Sequence, residues 1–143
     1  MSILLFILIL LVLVLVHEFG HFIVAKMAKI RVDEFAFGFP PRLFSKKFGE
    51  TTYAFNLLPL GGYVKIYGED ANEVKSEDRS RSFSAQPRLI QAAVIIAGVV
   101  MNIVLAWVLL SATLAIGIAA PADNDEGFPV TNARLMITEV AAK

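Results

Sequence analysis

The two histidines of this 143-residue chain lie four positions apart, with a glutamate directly after the first: His17-Glu18-Phe19-Gly20-His21. On a helix, residues four apart share a face, so both imidazoles can reach one metal ion while the carboxylate stays beside it. The chain has no cysteine, which removes thiolate sites and leaves a metal to histidine and carboxylate. Zinc suits the pattern. It lowers the pKa of a water ligand toward about 7, and Glu18 is the group to take that proton as the water attacks a peptide carbonyl. The plain alternative is a chance pairing inside an apolar helix. Ionisable side chains there are costly and are retained mainly for function, whereas Leu or Phe would fill the same space without that cost.

The element that must carry these residues is apolar throughout. Ile3 to Val16 is unbroken aliphatic and aromatic sequence, continuing through Phe22 to Ala25 before Lys26 ends it. About 20 such residues cross a bilayer core of roughly 30 Å, so residues 1–27 are expected to form a first transmembrane helix. A cleavable signal peptide is the competing reading. It fits poorly, because no basic residue precedes the run and no small-x-small site follows it. A helix rises 1.5 Å per residue, so His17, nine positions before Lys26, is expected roughly 14 Å below the membrane boundary. Gly20 leaves room for a neighbouring helix or a substrate backbone.

Residues 88–120 are expected to form a second spanning helix: from Leu89 onward they carry no charge, and Pro87 and Pro121 flank them. Residues 28–87 form a connector with strand-like runs at Phe35–Phe39, Thr51–Asn56 and Tyr63–Tyr67, punctuated by Gly and Pro. Thr51 to Tyr67 reads as a hairpin, and Asp70 to Arg88 as a solvated linker. The expected fold class is thus an α-helical integral membrane protein, two transmembrane helices joined by a β-hairpin region.

Composition agrees: 57% of residues are hydrophobic, 18% are charged, and the mean hydropathy is +0.66. The 13 basic and 13 acidic residues cancel, so no attraction to nucleic acid follows from net charge and the lipid bilayer is the expected surrounding. All basic residues but Arg134 and Lys143 lie from Lys26 to Arg88. The positive-inside rule then places the connector in the cytoplasm and residues 121–143 on the far side. That tail ends in an alternating run, Leu135 to Val140, with no partner strand after it.

The motifs His17-Glu-Phe-Gly-His21, Asn56-Leu-Leu-Pro-Leu-Gly-Gly-Tyr-Val64 and Gly98-Val-Val-Met-Asn102 occur in that order. Together they resemble the site-2 protease family of intramembrane zinc metalloproteases, and within it the bacterial regulator-of-sigma-E protease group. The resemblance implies Zn2+ on His17 and His21, Glu18 as the catalytic carboxylate, and a multi-pass protein of the bacterial inner membrane. It also implies that Gly61, Gly62, Tyr63 and Val64 belong to a membrane-associated hairpin that guides an extended substrate, and that Asn102 takes part in substrate handling. On the residues alone, Gly61-Gly62 is equally a tight turn and Asn102 an interhelical hydrogen-bonding residue. The implied partners are membrane-spanning proteins such as anti-sigma factors, and the tail resembles the opening of a PDZ domain. The family's third zinc ligand, an aspartate in a Leu-Asp-Gly motif, has no counterpart here. A non-catalytic membrane scaffold or chaperone with a vestigial motif is the second reading; against it stands the buried Glu18 carboxylate, which such a protein has no reason to keep.

Overall fold

The computed structural model describes residues 2–69 and 76–117. In chain order it contains α1 (Ser2–Met27), β1 (Val32–Phe48), β2 (Thr51–Ile66), two short 3-10 turns (Ser76–Arg81 and Phe83–Ala85) and α2 (Arg88–Ile116). The expected PDZ-like tail and residues 118–120 of the second helix lie outside the described residues.

Helix α1 has 26 residues and α2 has 29, or about 39 and 44 Å of rise. Both are long and apolar enough to cross a bilayer. Their lateral surfaces are largely uncovered: Ile3 is 77% exposed, Leu89 84% and Trp107 68%. Only Val94, Ala97 and Gly98 of α2 are buried, and these face α1. Gly20 is what lets the helices meet, since a Cβ added there would run into the backbone carbonyl of Ala97. Of the two occupants expected beside Gly20, it is the neighbouring helix that approaches.

Helix α1 ends in a Schellman turn. Lys29 adopts φ +58°, its amide donates to the Lys26 carbonyl at 3.0 Å, and the Ile30 amide donates to the Ala25 carbonyl at 2.9 Å. The hydrophobic contact that accompanies such a turn is present: Ala25 and Ile30 are fully buried and join Val32, Ile66 and Val94 in the core. This core therefore knots together the end of α1, the open end of the sheet and the start of α2, one helical turn from His21.

The hairpin differs from expectation in register. Its turn is at Gly49-Glu50, between β1 and β2, so residues 51–66 form a single strand rather than a hairpin of their own. The antiparallel ladder has two arms: Phe48↔Thr51 through Phe44↔Phe55 on the outer side, and Val32↔Ile66 through Phe37↔Gly62 on the inner side. Residues 34–37 have a second neighbour in 52–55, so the strands fold back on themselves near Gly38, whose φ is +76°. Asn56 fastens that bend, its buried side-chain amide donating to the Gly38 carbonyl at 3.0 Å.

The stretch expected to be a solvated linker is more ordered from residue 76 on; residues 70–75 lie outside the described residues. Ser82 is fully buried and its hydroxyl donates to the Arg79 carbonyl at 2.9 Å. Glu50 in the hairpin turn binds Lys26 at 2.8 Å and Arg81 at 2.7 Å. The Lys26 ammonium, and then Arg81, hold the Glu50 carboxyl below its ordinary range. One carboxylate thus ties α1, the turn and the segment leading into α2.

Candidate active site

Residues 94, 98 and 102 of α2 recur at four-residue spacing and so form one stripe, which lies against the His17–His21 face of α1. The chains run antiparallel, so Val94 meets His21 and Asn102 meets His17. The two imidazoles stand edge to face, with centroids 4.8 Å apart and planes at 77°. Between them α2 presents Gly98. A Cβ built there would lie 2.5 Å from His21 Nε2 and 2.6 Å from His17 Nε2. Both Nε2 atoms therefore turn into the same small space, which exists because residue 98 has no side chain.

The other ring nitrogens are engaged. His21 Nδ1 lies 2.7 Å from the Val94 carbonyl oxygen. A carbonyl can only accept, so Nδ1 carries the hydrogen and Nε2 is left with a free lone pair, the tautomer of a histidine that ligates through Nε2. His17 Nδ1 lies 3.4 Å from the Asn102 amide nitrogen, Nδ2. These features fit zinc: two ring nitrogens turned into one space, that of His21 with its lone pair set by the Val94 carbonyl, and a cradle that a methyl group would fill. Among the described residues no group of three or more His, Cys, Asp or Glu side chains gathers as a metal site, so a catalytic zinc held here would take two of its three protein ligands from this pair.

Glu18 points toward the sheet. Its carboxylate lies beside the Val64 backbone, and a Cβ at Gly62 would be 3.7 Å from its Cγ. A cleft of about 280 Å³ opens here, bounded by Glu18 and His21 of α1, Val64 and Ile66 of β2, and Val94 of α2, with Glu69 at its margin.

The expected site residues thus divide. His17, Glu18, His21, Gly62 and Val64 come together, and Asn102 reaches His17. Gly61 and Tyr63 point elsewhere: Gly61 packs under Phe39, and the Tyr63 hydroxyl donates to Glu34 at 2.9 Å. Burial, and then Glu34, push the Tyr63 phenol above its ordinary pKa. Gly61-Gly62 is not a tight turn, since both lie inside β2; glycine is needed at 62 because a Cβ would meet the Ala36 carbonyl oxygen at 2.8 Å. The Val94 carbonyl and Glu69 were not singled out from the sequence. The first is a backbone acceptor with no residue type to betray it, and its one signal is its place a helical turn before Gly98.

Residues 5–139 match the sequence profile of peptidase family M50. The chain is 40% identical over 139 residues, 94% of its length, to a Thermotoga maritima protein provisionally named a zinc metalloprotease. It is 48% identical over 68% of its length to a Clostridium perfringens protein with the same provisional name. To a Yersinia pestis protein named Protease RseP it is 39% identical over 75% of its length. The matched stretches are 28%, 28% and 24% of those relatives, so the chain spans about a quarter of their length.

Proposed function

The chain belongs to peptidase family M50, the site-2 proteases, and from that premise we propose that it carries the zinc-binding and general-base portion of an intramembrane metalloendopeptidase. The observation that carries the reading is the convergence of His17 and His21 Nε2 beside Gly98, with the His21 tautomer set by the Val94 carbonyl. The names borne by the relatives support zinc as the metal.

In this reading His17 and His21 hold the ion, which supplies Lewis acidity and an acidified water when bound. Glu18 accepts the proton as water attacks the scissile carbonyl, then returns it to the leaving amine. A helical substrate hides its carbonyls in its own hydrogen bonds, so cleavage requires an extended segment. The outer edge of residues 62–66 borders the cleft and is suited to hold one by strand addition. There Val64 and Glu18 border the same cleft, so a strand added at this edge is brought beside the carboxylate. The substrates are membrane-spanning proteins, anti-sigma factors being the class expected, and the protein resides in the bacterial inner membrane.

The test compares Glu18→Gln with His17→Ala and His21→Ala in the protein assembled with the remaining length of its relatives. Glu18→Gln is expected to retain zinc and lose cleavage of a membrane-embedded reporter by at least about 100-fold, the scale of a general base; the histidine variants lose both. Cleavage by the Glu18→Gln variant at the wild-type rate overturns the mechanism.

A further inference from the structure

Taking His17 and His21 as zinc ligands, we propose that Asn102 is a positioning residue of the metal site: its carboxamide oxygen accepts the Nδ1 hydrogen of His17, as the Val94 carbonyl accepts that of His21. This assigns Asn102 to the ligand rather than to the substrate, the role its place in the second helix first suggests.

The placement of α2 makes the case. Val94, Gly98 and Asn102 occupy successive turns of one stripe, and each meets the histidine pair differently: a backbone acceptor at 2.7 Å from His21 Nδ1, a bare Cα facing both Nε2 atoms, and a carboxamide 3.4 Å from His17 Nδ1. Asn102 does not line the cleft that Glu18 and His21 border, so a substrate held there does not reach it. An imidazole that ligates through Nε2 while neutral carries its hydrogen on Nδ1, and the atom opposite must then be an acceptor. Of the two carboxamide ends only Oδ1 meets that demand; the amide nitrogen would set donor against donor. Asn102 Oδ1 is buried without a partner when the nitrogen faces the ring, and turning the group over gives it one. The His17 tautomer decides between the two orientations. Asparagine is then chosen for a short, neutral acceptor that reaches one ring nitrogen from a neighbouring helix.

The experiment uses the protein assembled with the remaining length of its relatives, in detergent micelles with 15N-labelled histidine, first without metal and then with zinc alone, titrated against a chromophoric chelator; cleavage of a membrane-embedded reporter is read alongside. Wild type and Asn102→Asp, which keeps an acceptor, are expected to show His17 as the Nδ1–H tautomer. Asn102→Leu is expected to shift His17 toward Nε2–H and to weaken zinc binding by about 10–100-fold, the usual effect of losing a ligand's hydrogen-bond partner. Helix content by circular dichroism screens each variant, and if the leucine protein fails to fold, Asn102→Ser with its shortened reach takes its place. Wild-type His17 in the Nε2–H form overturns the proposal. So does a leucine or serine variant that keeps wild-type tautomer and zinc affinity yet cleaves poorly, because that assigns Asn102 to the substrate. Zinc binding unchanged by His17→Ala and His21→Ala defeats the underlying metal reading instead, and it does so whatever the tautomer spectra show.

Discussion

Two glycines on facing helices do different work, and the same substitution separates them. At Gly98 an added methyl would meet His21 Nε2 and His17 Nε2 at 2.5 and 2.6 Å, so the rings must turn out of the space they share. At Gly20 it would meet the Ala97 carbonyl, which is backbone and cannot turn aside. Gly98→Ala is therefore expected to lower zinc affinity by about 10-fold or more while leaving the helix pair folded. Gly20→Ala is expected to destabilise the helix pair by about 1–3 kcal/mol, the range for overpacking. Zinc titration and unfolding in micelles check the pair; Gly98→Ala with wild-type zinc affinity would show that the rings have another place to go.

Among the elements, β2 carries the strongest functional expectation. Val64 pairs with Phe35 in the register, and it borders the cleft together with Glu18. Val64→Pro removes an amide donor from this edge strand, where proline is tolerated better than in a central strand. Cleavage is expected to fall while zinc affinity stays within about threefold, less than the roughly tenfold loss that marks damage to a ligand's surroundings; parallel loss of both on reporter and metal assays would indicate a collapsed sheet. The helices were legible in the sequence because an unbroken apolar run as long as Ile3 to Val16 exceeds the length of a buried strand, and the His17–His21 spacing is chemistry written in residue types. The strands were less so. The outer half of β1, Arg42-Leu-Phe-Ser-Lys-Lys-Phe48, follows two prolines and carries three cations, which conceals a strand whose apolar side chains remain exposed. Gly61-Gly62 imitates a turn because glycine serves both for positive φ and for close approach, and only the distance to Ala36 tells them apart. Asn102 was legible as a polar residue in an apolar helix, but its partner 85 positions away is a property of packing.

At the scale of the whole molecule, the apolar flanks of α1 and α2 need a solvent that matches them. A bilayer meets that need, and the distribution of basic residues predicts residues 29–87 on the cytoplasmic side. Because the chain has no native cysteine, a cysteine at Lys75 is expected to resist an impermeant thiol reagent in intact cells and to react after lysis; labelling in intact cells reverses the topology. Coordination makes the second demand. Catalytic zinc sites take three protein ligands and leave one position for water, yet α1 offers two histidines, with Glu18 required as base. The described carboxylates nearest in sequence, Asp33, Glu34 and Glu50, are committed to Arg31, Arg42 and Lys26 in the connector. Two helices also enclose too little space to shield a water-bearing site from lipid. The 143-residue chain alone is therefore expected to bind zinc weakly, to lose it to mild chelators and to turn over no reporter. Co-expression with the segment of the Thermotoga maritima relative that lies beyond the matched region is expected to raise zinc affinity and restore cleavage together, because one added ligand serves both. Cleavage by the chain alone, abolished by Glu18→Gln, would place the third ligand within these residues or in a second copy of the chain.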